Sequence, residues 1–205
     1  MNYHILFAIL AWCIAIIVEG RYIYSILRGD TIPNFSWWFI ITFSMAIIFF
    51  ASLFSGVGES IYLVGVLLIL HTIETFLAWK MGTFLITKTE KILIAMSLLG
   101  IALWVFTDTP LYALLINISI DSIGMTAIAY KLFRFPETED IYAWGWSVLM
   151  YSMNLFAIEH FTLVDSLFTI VNVMTCGTVF LLTFRKMHLL KKVQLYFAQF
   201  LHIKI

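Results

Sequence analysis

Seven apolar runs follow one another along the chain, at about 4–27, 35–55, 59–80, 90–106, 110–133, 141–160 and 163–184, with only short polar breaks between them. A helix needs roughly 20 predominantly apolar residues to cross the hydrocarbon core of a bilayer, so the runs are read as spanning helices. The breaks carry turn chemistry: Gly29-Asp30 with Pro33, Ser55 to Gly58, Lys80 to Gly82, Thr107 to Pro110, Phe135-Pro136 and Glu159-His160. Glycine there frees φ and proline removes a backbone donor, which stops a helix. None of the breaks is long enough to hold a soluble domain. The expected fold class is therefore all-α, a polytopic membrane protein of seven transmembrane helices.

Composition agrees with that reading. The chain is 62% apolar and 12% charged, against roughly 45–50% and 25% for a soluble domain. The start, Met1 to His4, lacks the positive region of a cleaved signal, so the run from Ile5 is expected to be a retained helix. Cys13 and Cys176 are the only cysteines, too few for a disulfide framework or a paired metal motif. A bilayer and a small-molecule substrate are the expected partners, with no nucleic acid and no cofactor; a homo-oligomer is left open.

Orientation follows from the basic residues, which concentrate in cytoplasmic loops. With the N-terminus outside, all 12 Lys and Arg fall on the cytoplasmic side, at the first, third and fifth turns and in the tail after Phe184. The outer turns then hold Glu59, Asp108 and Glu159. The expected location is a bacterial cytoplasmic membrane, with the C-terminus inside. The segment 185–205, with Lys186, Lys191 and Lys192 among leucines and phenylalanines, reads as an amphipathic interfacial helix or as a plain positive stop.

Two turns resemble each other. Arg28 stands five residues before Pro33 and Lys131 five before Pro136; Trp37 and Trp38 open one apolar run, Trp144 and Trp146 another. Phe43-Ser44-Met45 follows Trp38 at the distance at which Tyr151-Ser152-Met153 follows Trp146. This spacing predicts a duplicated three-helix unit, 1–80 and 110–184, joined by a connector at 81–109 that contains the fourth helix. An odd unit plus one connector makes the two copies parallel, related by an axis along the membrane normal.

A seven-helix chain of 3+1+3 plan, with a proline turn after the first helix of each triplet, resembles the SWEET and PQ-loop transporter superfamily. More narrowly, the Gly-Asp-Thr-Ile-Pro-Asn-Phe-Ser-Trp-Trp core at 29–38, with Lys131, Pro136 and Glu139, is similar to a group of uncharacterised bacterial seven-helix proteins. The vitamin carriers of the PnuC type share the plan more distantly. The Pro-Gln pair of the PQ-loop proteins is replaced here by Pro33-Asn34 and Pro136-Glu137. The resemblance implies a SWEET-like bundle and a substrate-facing asparagine in the last helix of a triplet. Asn172 is the position that corresponds, with His71 as its counterpart in the first triplet.

Ionisable groups within spans are costly and usually face a bundle interior or an aqueous path. Glu19 lies fourteen residues before Pro33 and Asp121 fifteen before Pro136, near-equivalent places in the two units. Glu19 is read as path-lining or as a partner of Arg21 or Arg28. Asp121, with no Lys or Arg nearby in sequence, is the expected proton site. His71 and Glu74 share one helix face, and with no third ligand in sequence reach they read as a structural pair, so no metal is expected. Asn154 and Asn172 complete the expected substrate path of Glu19, His71, Asp121, Asn154 and Asn172, with a hydrogen bond between helices as the alternative for Asn172. Pro33, Trp37, Trp38, Pro136, Trp144 and Trp146 are expected as gates or hinges, or else as helix starts and an interfacial aromatic belt.

These residues point to a membrane carrier for a small polar metabolite, sugar-like or vitamin-like, working by alternating access between the two triplets. The alternative is a non-transporting binding, sensing or trafficking protein of the same fold. An enzyme is not expected, because no Ser/His/Asp constellation, His-Glu-x-x-His or glycine-rich phosphate loop is present.

Overall fold

The computed structural model of the protein describes residues 3–29, 32–84, 88–134 and 141–200. They form seven helices: α1 (Tyr3–Arg28), α2 (Phe35–Phe54), α3 (Ile61–Met81), α4 (Lys88–Thr107), α5 (Pro110–Arg134), α6 (Ile141–Ala157) and α7 (Leu163–Phe200). Pro136 and Glu139, and with them most of the second proline turn, lie outside the described residues.

Among the described residues, four stretches are long and apolar enough to cross a membrane: α1, α2, α3 and the Leu163–Thr183 part of α7. The apolar parts of α4 and α5, Lys91–Thr107 and Pro110–Thr126, are shorter, and α6 has 17 residues. In α5 the polar positions Asn117, Ser119, Ser122 and Thr126 break the apolar run. Each donates to the carbonyl four residues earlier, at 2.7–2.8 Å, which leaves Asn117 Oδ1 buried without a partner. The last helix is longer than its apolar run, continuing through the basic segment to Phe200 without a break.

Six helices close into a ring in the order α1, α3, α2, α5, α7, α6, and back to α1; α4 stands outside it, against α5 and the edge of α2. The main core draws buried residues from every ring helix, among them Ala15, Ile48, Leu67, Leu114, Met150 and Phe168. A second seam of Ile40, Leu93 and Ile120 fixes α4 to α2 and α5. On α1 the inward stripe is Ala8, Ala11 and Ala15, all fully buried; such small side chains let helix backbones approach closely, which is how helices gain contact in lipid. The outward faces are apolar too: Ile17 is 62% exposed, Ile69 63% and Leu181 67%. A protein apolar on both its inside and its outside is an integral membrane protein, since lipid replaces water around it.

The first proline turn is a clamp. Asn34 caps α2 by accepting from the Trp37 amide at 3.2 Å, and Pro33 precedes that cap, so here the proline starts a helix. The turn also pairs with the α3–α4 connection: the Thr83 amide donates to the Pro33 carbonyl and the Phe35 amide to the Thr83 carbonyl, both at 2.9 Å. Gly82 is the residue that permits this approach, because a Cβ there would overlap the carbonyl oxygens of Pro33 and Ala78.

Candidate functional site

Two polar centres lie inside the ring and share His71. The first is a cluster of Glu19 from α1 with His71 and Glu74 from α3. One potential ligand atom from each of the three lies within 4.8 Å of the others. Glu74 is fully buried and His71 is 8% exposed, while Glu19 is partly buried. His71 Nδ1 and both carboxylate oxygens of Glu74 have no hydrogen-bond partner. The Glu19 and Glu74 carboxyl groups face one another, and two ionised carboxylates offer acceptors only. Among the described residues no Lys or Arg pairs with them. Arg21 is exposed on α1 and Arg28 lies over the Tyr24 ring at 4.7 Å, so the pairing of Glu19 with either arginine is not what the fold builds. Arg21, two residues on, leaves α1 on another face.

The cluster is framed by α2. The Trp38 ring lies 5.5 Å from the His71 ring and 5.1 Å from that of Tyr22, and its Nε1 donates to the Tyr22 hydroxyl at 3.2 Å. Thr42 donates to the His71 carbonyl at 2.9 Å, and Thr75 to the Trp38 carbonyl at 3.0 Å. These bonds fix the rotation of α3 against α2 and so the direction of His71 and Glu74.

The second centre is a cavity of about 120 Å³. Trp37, Ile41 and Met45 of α2 form one wall and Ile120, Asp121 and Met125 of α5 another; His71, Tyr151 and Asn172 complete it. Asp121 accepts a hydrogen bond from Ser44 Oγ at 3.3 Å. The Asn172 amide donates to the Phe168 carbonyl at 2.9 Å. The cavity sits at the Trp37 end of the bundle, the end of the Arg28 and Lys80 turns. Towards the other end the ring is filled by Ile48, Leu63, Leu67 and Phe168, and Ser60 at the head of α3 donates to Asp165 at the head of α7.

Of the five residues read from sequence as the path, His71, Asp121 and Asn172 line this cavity and Glu19 joins it through His71. Asn154 stands apart: fully buried, it donates to Thr169 Oγ1 at 2.8 Å and ties α6 to α7. The tryptophans separate as well. Trp37 lines the cavity, Trp38 covers His71, Trp144 packs against the core and Trp146 is 47% exposed. Two members of the site were not singled out from sequence, Glu74 as a site residue and Tyr151. Glu74 was in view through its three-residue spacing from His71. Tyr151 was marked by its place in the repeat.

No protein-family model matches the sequence, and neither a curated protein nor a solved structure matches the chain. The fold and site define an all-α integral membrane protein with an acidic, histidine-containing polar centre inside a ring of six helices.

Proposed function

We propose that the protein is a SWEET-like carrier that moves a small polar solute, neutral or cationic, by rocking α1–α3 against α5–α7 around the cavity, with α4 as the connector. The single observation that carries this reading is a largely apolar cavity into which both triplets place polar side chains, His71 on one side and Asp121 and Asn172 on the other. The order of neighbours supports a repeat: exchanging α1, α2 and α3 with α5, α6 and α7 leaves the ring order unchanged. Glu19 and Asp121 then occupy like positions in α1 and α5. Acidic groups without Lys or Arg in the lining disfavour anions. Asp121 is the proton-binding residue in this scheme. The cavity lies nearer the basic end, which is the cytoplasmic one in this scheme, and the packed core and the Ser60–Asp165 contact fill the other.

Uptake of hexoses, nucleosides and small amines into proteoliposomes, with and without a pH gradient, tests the proposal. Gradient-stimulated flux that Asp121→Asn abolishes is the expected result; equal flux with and without the protein overturns it. A cavity of about 120 Å³ is below the roughly 300–1,000 Å³ of sites that enclose a drug-sized ligand. That smallness favours the second reading, a membrane sensor or trafficking protein that binds without transporting, which would give solute binding to the purified protein and no flux.

A further inference from the structure

We propose that Glu19, His71 and Glu74 form a binding site for a single divalent first-row transition-metal ion, of the zinc, cobalt or manganese class. This stands on the cluster itself and holds whether or not the protein carries solutes. Three donors held about 2.0–2.2 Å from one tetrahedral ion lie about 3.3–3.6 Å apart. The three donor atoms here are within 4.8 Å of one another, so side-chain rotations that close them by about 1 Å complete the set.

The second observation is independent of that spacing. His71 Nδ1, Glu74 Oε1 and Glu74 Oε2 are buried without any hydrogen-bond partner, and of the other such atoms among the described residues, on Ser36, Ser97, Asn117 and Asn154, none belongs to an ionisable side chain. A buried acceptor left unmade costs about 1–3 kcal/mol, more when charged. The Glu74 carboxyl group also faces that of Glu19, and two carboxylates so placed call for a shared proton or a cation between them. Lys and Arg do not supply it. An imidazole nitrogen among carboxylate oxygens selects a borderline transition ion over magnesium, calcium or sodium, which take oxygen ligands. Trp38 and the Thr42 bond to the His71 backbone hold the imidazole ready. The sequence hid the third donor because Glu19 is 52 residues from His71 and meets it only through the α1–α3 contact.

The experiment uses the purified full-length protein in detergent. Cobalt(II) titrated in should develop a ligand-field absorption band saturating at one ion per chain, with zinc(II) displacing it, and either ion should raise the thermal midpoint. Glu19→Gln and Glu74→Gln should each weaken cobalt binding at least about 10-fold, while Glu159→Gln and His160→Ala, which remove an exposed carboxylate and an exposed imidazole, leave it unchanged. If Glu74→Gln fails to fold, the partly buried Glu19→Gln and the metal-induced midpoint shift of the unaltered protein still decide. Absence of a one-to-one cobalt complex overturns the proposal, as does binding retained in Glu19→Gln, or magnesium and calcium binding as tightly as zinc. A zinc-sensitive dye sealed in proteoliposomes separates the two sources of the ion: a dye response marks the metal as cargo, and tight binding without a response marks it as resident.

Discussion

The two triplets place a carboxylate at a similar level and treat it in opposite ways. In α5–α7 the carboxylate has a protein partner: Asp121 accepts from Ser44 of α2, while Asn172 and Asn117 donate to their own helices and Asn154 to Thr169, with the Oδ1 atoms of Asn117 and Asn154 left over. In α1–α3 Glu19 meets a second carboxylate, and His71 and Glu74 keep unpartnered atoms. A polar group in an apolar bundle either finds a protein partner or calls for something from outside. The carboxylate of α5 is thus held by a hydrogen bond from a neighbouring helix, whereas that of Glu74 in α3 faces another carboxyl group without a protein donor.

Substitutions can break that comparison. The largest effect belongs to Glu74→Leu in metal-free protein, which exchanges an unpartnered buried carboxylate for an apolar side chain and should stabilise by about 1–4 kcal/mol, read as a higher thermal midpoint. A fall in the midpoint would mean that Glu74 is satisfied after all. Next is Gly124→Ala at the seam between triplets, where the new methyl collides with the Trp37 ring; overpacking of this kind should cost about 1–3 kcal/mol in thermal unfolding and distort the cavity wall. Asn154→Ala should cost about 1 kcal/mol through the lost bond to Thr169, opposite in sign to Glu74→Leu; equal signs would erase the contrast. The smallest effect is expected for Arg21→Gln, whose melting curve should overlay that of the unaltered protein because this exposed side chain does not pair with Glu19.

What could be read in advance depended on the range of the interaction. Run length and turn residues are local, so the starts of α2, α5 and α6 at residues 35, 110 and 141 match the structure. Ends were harder. The sixth run was taken to 160, whereas α6 stops at Ala157 and Thr162 then caps α7 by accepting from the Asp165 amide. The shared face of His71 and Glu74 follows from a three-residue step along one helix. Which carboxylate meets them depends on how α1 packs on α3, and no periodicity in either helix encodes that. Trp37 and Trp38 looked alike as a belt because only their position along the helix axis was legible. One residue of rotation, about 100°, sends one to the cavity and the other to His71.

The position of α4 makes the two junctions between α1–α3 and α5–α7 unlike. It lies across α2 and α5 like a splint over one of the two junctions between the triplets. The other junction, α1 with α6, is the broadest pairing in the bundle and holds uncovered, with the tilted rings of Phe7 and Phe156 at 5.0 Å and the bond between His4 and the Phe156 carbonyl among its contacts. Bilayer lipid therefore lies directly against the seam of α1 and α6, whereas α4 stands between lipid and the seam of α2 and α5.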